Sequence, residues 1–398
     1  MKKTKFAYLF ATALVAGTMG LTSCQEEVEN PASVDGKTTK VAISMSLAQQ
    51  TRATADEVNM GAKIADINNV AIVPMVGDLA QNVIAMGTFK ATEAITHYKN
   101  ATIPQTVDKF RVYGNLPSAL TDNAPFVFPS LAQAAAGTGD LASFVKPHAL
   151  YYYAEADNKN GSSNKFQIGT GADWASAAWA DIADNATVGT NTLIRIKGVK
   201  YAMGVLAVGV LDGSDKNKMI FKDAEGETTY SINTVGVEKP FVVDGIVVED
   251  QPKDFDAKFG ETGGNVMVYE TAAAADLLSG KLAFDGSNKV SGANVYCVVA
   301  PEDKDLVIAN IRFQNKSGKT LVLNSGETVA NGGYFYLYAR LRQKDSQNIF
   351  AAATSTLLNA TVKDWGRATK EIVESTDVEI GLEIDTTWAQ GISFDEEI

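Results

Sequence analysis

Few residues of this sequence have the types and spacing from which an enzyme site could be built. The 398-residue chain contains two histidines and two cysteines. His97 and His148 each stand alone, so no cluster has metal-ligand spacing. The short motifs of nucleotide-binding loops, serine hydrolases and zinc proteases are absent. Acidic residues are plentiful, but none forms an identifiable pair of the kind a glycosidase uses. The sequence therefore predicts a protein that is not an enzyme and needs no cofactor or metal.

The first chemistry that the sequence suggests is modification of Cys24. A basic start, MKKTK, precedes an apolar run from Phe6 to Leu21, which is typical of a secretory signal peptide and shorter than most membrane spans. The run ends in LTSC, which is similar to a bacterial lipobox, where the cysteine thiol receives a diacylglycerol. We expect residues 1–24 to be a lipoprotein signal peptide, with acyl chains such as palmitate on Cys24 anchoring the protein to a membrane. An ordinary signal peptide with an incidental cysteine is the alternative.

An acidic segment, QEEVE, follows Cys24 directly. It resembles the signal that directs some Gram-negative lipoproteins to the cell surface. We therefore expect the lipoprotein export machinery to be a partner and the outer membrane to be the destination.

The second chemistry is proteolysis after Arg52. This residue lies in LAQQTRATADE, residues 47–57, and is the only basic residue between Lys40 and Lys63. Small polar neighbours and a single basic residue suit a trypsin-like protease, which would cut between Arg52 and Ala53. A surface loop that is never cut is the alternative reading.

The segment before this loop has the pattern of a half-buried strand. Apolar residues alternate with small ones over residues 40–48. The apolar set is Val41, Ile43, Met45 and Leu47. A second strand of the same kind lies near the carboxyl end, where the apolar set is Val378, Ile380, Leu382 and Ile384 and the pattern continues to Trp388.

Two strands of one type at the two ends of a chain suggest strand exchange. A terminal strand can leave a sheet without breaking internal connections, and an extended segment can replace it at the open edge. Loss of the first strand would expose an apolar groove. The carboxyl-terminal strand of a neighbouring copy would fill the groove and give a head-to-tail assembly that does not close.

The remaining patterns predict an all-β protein with a few short helices, built as two tandem β-sandwich-like domains. Short helices are expected at residues 130–136, 172–183 and 271–278. Strands are expected at residues 68–76, 109–116, 191–211, 239–250, 264–270, 293–300, 305–315, 319–324, 334–343, 355–365 and 377–388. Residues 155–191 carry little strand signal, so we expect a domain boundary near residue 191.

The predicted organisation follows from these features. Residues 25–52 form a propeptide, residues 53–191 the first domain and residues 192–398 the second. The second domain includes a donor-strand tail, residues 366–398, with the acidic end Asp395-Glu396-Glu397-Ile398.

The net charge, the second cysteine and a group of aromatic residues bear on the partners that this protein could bind. The net charge of −12 argues against nucleic acid, which needs basic patches. Cys297 lies in an apolar, β-branched run and is expected to be a buried, inert thiol. Trp174, Trp179 and Tyr151–Tyr153 would form either a sugar-binding patch or, more simply, sandwich packing.

Together these features resemble the FimA/Mfa-like fimbrillin family, the subunits of type V pili. The resemblance spans nearly the whole chain and rests on the order of several weak motifs. They are MKKTKF with the lipobox, the strand before Arg52-Ala53, VYGNL (112–116), TLIRIKGVKYAMGVL (192–206) and TLLNATVKDW (356–365).

The resemblance implies export as a lipoprotein, proteolysis after Arg52, loss of the first strand and polymerisation with neighbouring subunits into a pilus that supports adhesion. The extended sequence after Trp365 leaves a capping or anchoring variant open. A surface lipoprotein that is not cleaved, and that binds glycans or anchors a pilus, is the alternative. The sequence does not distinguish a shaft, tip or anchor subunit.

Overall fold

A computed structural model describes the chain in a set of segments separated by gaps. These segments are residues 37–47, 67–89, 98–116, 118–124, 150–171, 173–174, 176–216, 218–223, 226–231, 240–255, 261–271, 283–284, 290–291, 295–343, 347–374 and 393–397. Cys24, Arg52, Ala53, both histidines and residues 378–388 lie outside them. So do the helix predicted at 130–136 and all but the first residue of that at 271–278.

The amino-terminal part of the described chain is built from ten strands. These are β1 (Thr38–Leu47), β2 (Ile67–Val76), β3 (Leu79–Ala80), β4 (Ile84–Phe89), β5 (Lys99–Pro104), β6 (Lys109–Gly114), β7 (Tyr152–Asp157), β8 (Gln167–Thr170), β9 (Ala178–Asp181) and β10 (Thr192–Tyr201). They pair in the order β3-β2-β6-β7-β10-β1-β5, with β4 on β2 and β8 between β10 and β9.

Strand β10 connects the two halves of this arrangement. Its first part pairs with β1 and β8, and its last residues, Lys200 and Tyr201, pair with β7. One core cluster contains Ile43 and Ile194 from the first half together with Phe110 and Val112 from the second. The two halves therefore enclose a common apolar core, as in a β-sandwich.

The carboxyl-terminal part adds fourteen described strands and one short 3₁₀ helix, Trp365–Arg367. The strands are β11 (Gly204–Lys216), β12 (Lys218–Asp223), β13 (Gly226–Ser231), β14 (Phe241–Phe255), β15 (Glu261–Thr271), β16 (Ala283–Phe284), β17 (Val290–Ser291), β18 (Val295–Val299), β19 (Leu306–Asn315), β20 (Thr320–Val322), β21 (Thr328–Val329), β22 (Tyr334–Arg342), β23 (Ser355–Asp364) and β24 (Ser393–Glu397).

These strands form four sheets around a second core. The orders are β18-β11-β23-β24, β15-β14-β19-β22 and β13-β12-β20-β21, with β16 and β17 forming a separate hairpin. At the centre, the fully buried ring of Trp365 lies 5.0 Å from Phe241 and 5.2 Å from Phe313, between ring centroids. The all-β, sandwich-like fold class predicted from the sequence is confirmed.

Two sequence predictions are wrong. Residues 172–183 are not a helix, because Ala178–Asp181 form β9 and pair antiparallel with β8. Alanine-rich composition favours a helix, but pairing with β8 and packing of Trp179 against Gly169 override that propensity. Residues 191–211 are not one strand. Tyr201 ends β10, and β11 begins at Gly204 in a different sheet.

Residues 155–191 also contain more strand than predicted, since the end of β7 and all of β8 and β9 lie there. The change from the first set of paired strands to the second falls at Ala202 and Met203. Because β10 pairs with the first set, that change comes after residue 191. The division of the chain into two domains at residue 191 stays a prediction.

The Gly-Asn pair in VYGNL has a physical explanation at the end of β6. A Cβ atom on Gly114 would lie 2.5 Å from the Ile67 side chain, so only glycine fits there. Asn115 has a φ of 59°. Its side chain accepts a hydrogen bond from Asn68 N at 2.8 Å and donates one to Leu150 O at 2.9 Å. The pair therefore ends β6 and ties it to two neighbouring segments.

Candidate functional site

Strand β1 lies inside the amino-terminal sheet rather than at its edge. On one side it pairs parallel with β10, where Val41 faces Thr192 and Met45 faces Ile196. On the other side it pairs antiparallel with β5, where Val41 faces Ala101. A parallel pair needs a long connection between its strands, so β1 and β10 come from distant parts of the chain.

The inward face of β1 is part of the core. Val41 is 3% exposed, and Ile43 and Met45 are fully buried. All three belong to the same apolar cluster as Ile194 and Ile196 of β10. Leu47 continues the strand opposite Val199 after a register shift. The alternation predicted from the sequence is thus confirmed for the three residues whose side chains are described.

The outward face of β1 is also covered, which the sequence did not predict. Ser44 points away from the core side chains but is fully buried, and Ala42 is only 9% exposed. In register, Ser44 faces Arg195 of β10. The pairing of Ile43 with Lys99 places Tyr98 opposite Ser44 on the β5 side.

Four side chains make a continuous set of contacts from β10 to β5, across the outward face of β1. The Arg195 guanidinium lies 4.4 Å from the centre of the Trp179 ring. Trp179 lies 4.6 Å from Trp174, and Trp174 lies 5.3 Å from Tyr98, between ring centroids. We call the three side chains of Tyr98, Trp174 and Trp179 the aromatic roof; Arg195 stacks on its Trp179 end. The set runs between Arg195 and Tyr98, the residues that flank the fully buried Ser44 in register.

The aromatic residues singled out in the sequence fall into two places. Trp174 and Trp179 join the aromatic roof, where Tyr98 is 52% exposed. Tyr152 instead packs on Tyr201 at 4.6 Å, and the Tyr153 hydroxyl donates to Glu155. Tyr98 could not be found from the sequence, since only the β1–β5 pairing brings it to the tryptophans. These aromatic residues therefore do not form one patch, and packing, one of the two alternatives given by the sequence, accounts for Tyr152.

A cavity of about 670 Å³ lies beside β1, with both polar and apolar residues in its lining. Its lining includes Ala42 of β1, Asn100 of β5 and Leu193 of β10, which are in register with one another. The other lining residues are Lys40, Val41, Asn82, Val83, Ile84, Lys99, Ala101, Thr102, Asp122, Asn123 and Asn191.

One ion pair closes the rim of this cavity. Lys99 is paired with Asp122 and donates a hydrogen bond to Ala85 O at 2.7 Å. Burial alone would raise the pKa of Asp122, but the hydrogen bonds from Lys99 and from Ala85 N–H outweigh it and leave the pKa below its usual range. Ala85 of β4 hydrogen-bonds both partners of this ion pair, so Lys99 of β5 and Asp122 are both connected to β4.

The carboxyl-terminal tail ends in a strand that the sequence analysis did not predict. Strand β24 contains the acidic residues Asp395–Glu397 and pairs parallel with β23, from Leu357–Ser393 to Thr361–Glu397. Among the described strands it has a partner on one side only, so it lies at the edge of that sheet and is five residues long. The predicted donor residues Val378, Ile380, Leu382, Ile384 and Trp388 lie between the described segments.

Other chemistry is sparse in the described part of the chain. Within it, no group of three or more His, Cys, Asp or Glu side chains is arranged to hold a metal ion. No helix among these residues is long and apolar enough to span a membrane. The predicted burial of Cys297 is confirmed, and burial raises the pKa of its thiol.

Neither a family model nor a curated protein sequence matches the chain. Several solved structures resemble it at low identity. A candidate cell adhesion protein from Bacteroides eggerthii is 13% identical, covers 91% of this chain and 98% of its own, and has a TM-score of 0.41. The tip fimbrial protein Mfa3 from Porphyromonas gingivalis is 7% identical over 78% of this chain and 83% of its own, with a TM-score of 0.31.

A candidate polysaccharide-binding protein from Bacteroides thetaiotaomicron is 9% identical over 78% of this chain and all of its own, with a TM-score of 0.33. Adhesins and a fimbrial tip protein are thus among the structures that the chain resembles. Since every one of these TM-scores is 0.41 or lower, the similarities carry no function to it. The proposal below rests on β1 and its surroundings.

Proposed function

We propose that this protein is a structural subunit of an adhesive pilus on the surface of a Gram-negative bacterium. The precursor is exported as a lipoprotein acylated on Cys24 and is held at the outer membrane. A trypsin-like protease cuts it after Arg52, β1 leaves, and the carboxyl-terminal strand of a neighbouring subunit takes its place. The observation that carries the proposal is that β1, the first of the described strands, is an interior, core-forming strand.

The energetics favour replacement of β1 over simple loss. Removing it would expose to water the apolar surface that Val41, Ile43 and Met45 cover, which costs on the order of 5–9 kcal/mol at about 1.5–3 kcal/mol per side chain. It would also leave unpaired backbone groups on β10 and β5 in the middle of a sheet. Binding of another strand to a subunit without β1 is therefore favourable, because it covers the apolar surface again and pairs the backbone groups of β10 and β5.

The position of β1 in the chain allows it to leave. It precedes all other described strands, and residues 48–66 form its only connection to β2. A cut after Arg52 lies within that connection, so it separates β1 from the other described strands without breaking any of them. Among the described strands, none between β1 and β24 has this arrangement.

Limited proteolysis tests the proposal. Purified precursor carrying Cys24→Ser, which removes the lipid anchor, is treated with trypsin and then examined by amino-terminal sequencing and electron microscopy. We expect a stable product that begins at Ala53 and assembles into filaments. The Arg52→Gln variant should resist this cut and remain monomeric, whereas the matched Lys63→Gln variant should behave as the parent does. A product that begins at Ala53 and stays monomeric would overturn strand exchange.

The uncleaved alternative, a glycan-binding or pilus-anchoring lipoprotein, has one observation in its favour. Tyr98 exposes half of its surface beside Trp174, as aromatic platforms for sugars do. The amino-terminal residue of the protein on intact cells distinguishes the two functions. Ala53 indicates a polymerising subunit, and acylated Cys24 indicates an anchor or a lone lipoprotein.

A further inference from the structure

The groove that β1 occupies has an unusual requirement at one position on its outward side. Most outward positions of a half-buried sheet accept large polar side chains, because they face water. Ser44 has no exposed surface, and the aromatic roof spans from Arg195 to Tyr98, the two residues that flank Ser44 in register. Any strand that replaces β1 must therefore carry a very small residue where Ser44 lies.

The neighbouring outward position has the opposite character. Ala42 is among the residues that line the 670 Å³ cavity, so a longer side chain at that position has space to extend. The cavity presents the side chains of Asn82, Asn100, Asn123 and Asn191. Amide groups can donate hydrogen bonds to a carboxylate. The lining also contains the Lys99–Asp122 ion pair, in which the two charges compensate each other.

Resting on the proposed function, we infer that the strand entering this groove is residues 378–384 of a second copy, in a single register set by the aromatic roof. Val378, Ile380 and Leu382 take the places of Val41, Ile43 and Met45. Gly381 then lies at the Ser44 position under the roof, and Glu379 lies at the Ala42 position and extends into the cavity.

Other registers fail at the roof. The outward residues of this segment are Glu379, Gly381, Glu383 and Asp385, so glycine is the only small one. A shift of two residues in either direction keeps the apolar face inward but places Glu379 or Glu383 under the roof. A carboxylate there would be buried against aromatic rings without room for water, which is strongly unfavourable. The aromatic roof is thus a specificity device that selects both the strand and its register.

Enlarging Gly381 in the donor strand and shrinking Trp174 in the acceptor tests whether the aromatic roof selects the register. In the Cys24→Ser precursor, Gly381→Leu should permit cleavage after Arg52 but reduce filament yield at least tenfold, because leucine cannot fit under Trp174. The matched variant Gly391→Leu, at a glycine of the same tail outside residues 378–384, should assemble normally. Adding Trp174→Ala to Gly381→Leu should restore filaments by opening space in the acceptor. Normal assembly of Gly381→Leu, or no rescue by Trp174→Ala, would overturn the inference.

Cysteine pairs test the register and the direction of the strand. Because Asn100 faces Ala42 across the β1–β5 ladder, Asn100→Cys with Glu379→Cys should give a ladder of disulfide-linked oligomers on a non-reducing gel. The pair Asn100→Cys with Glu383→Cys should not, although it would if the strand entered in the opposite direction. Filaments that cross-link only through Glu383→Cys would overturn the register. Failure of cleaved parent protein to form any filament would instead overturn the proposed function.

Discussion

Met45 of β1 and Ile196 of β10 face each other across a parallel ladder, and both side chains are fully buried. The two residues are far apart in the chain and belong to one apolar cluster. Half of this contact comes from a segment that we propose is removed during maturation. The same core position must then be filled twice, first by the precursor's own strand and later by a partner's.

Met45→Ala should destabilise the precursor by about 2–5 kcal/mol, because it leaves a cavity in a closely packed core. Chemical denaturation of the uncleaved protein would measure this change. Filaments made from the cleaved variant should be as resistant to denaturant as parental filaments, since residue 45 has been removed. Filaments weakened by the substitution would show that β1 is retained.

Glu155→Gln should lower the free energy of unfolding at pH 7 by about 3 kcal/mol. Arg111 and Lys109 are almost fully buried, and Glu155 lies 2.8 Å from the Arg111 Nε atom, so its loss leaves buried positive charge without its partner. Asp78→Asn is the matched control. Asp78 also contacts Lys109, at 3.8 Å, but is almost fully exposed, and its loss should cost less than about 1 kcal/mol.

The effect of Glu155 should depend on pH. Burial alone would raise its pKa, but hydrogen bonding from Arg111 and the charges of Lys109 and Arg111 outweigh burial, so the pKa lies below its usual range. The carboxylate therefore stabilises the fold above the unfolded-state pKa of about 4.3. This contribution is lost as the pH falls through the lower folded-state pKa. The difference in free energy of unfolding between the parent and Glu155→Gln should therefore become smaller below about pH 4. A difference that does not change with pH would contradict this explanation.

Asn115→Ala should destabilise the protein by about 2–3 kcal/mol, because it removes both side-chain hydrogen bonds and forces alanine to adopt a positive φ. Asn115→Gly separates the two causes. Glycine accepts the backbone conformation but makes no side-chain bond, so it should recover only part of the loss. Thermal unfolding of both variants would measure the difference, and equal stability of the two would assign the whole effect to hydrogen bonding.

Cys297 should not react with a thiol reagent in the folded protein. Its side chain is fully buried, and burial raises its pKa, so little thiolate forms and the reagent cannot reach it. Labelling of the Cys24→Ser protein should appear only on unfolding. Adding Ile220→Cys, at a position that is 40% exposed, should give one rapidly labelled site under native conditions.

Regular alternation made much of the fold predictable. Strands such as β2, β6, β19 and β22 carry long apolar faces, and their cores follow directly from period two. Strand β9 was predicted as a helix, because Ala178–Asp181 has no strand pattern of its own. It becomes a strand only through pairing with β8 and the packing of Trp179.

The candidate site was predictable only on its inward face. The alternate spacing of Val41, Ile43 and Met45 predicts that their side chains face the core. The aromatic roof instead depends on tertiary contacts between β10, the Trp174–Trp179 segment and the residue before β5. No periodic pattern links Tyr98 to these tryptophans. Such coverage arises from tertiary pairing and has no local signal in the sequence.

The pairing of β1 on both sides has a mechanical consequence. Its ladder to β10 runs from Val41 to Leu47, and its ladder to β5 runs from Thr38 to Ile43. The hydrogen bonds of a sheet lie across the strand direction, so tension applied along β1 loads both ladders in shear. The bonds must then yield together instead of peeling apart one after another. A membrane-tethered precursor pulled from residue 37 would therefore resist extraction of this strand. A cut beyond Leu47 removes the covalent link, but both ladders must still break before the rest of the chain separates from β1.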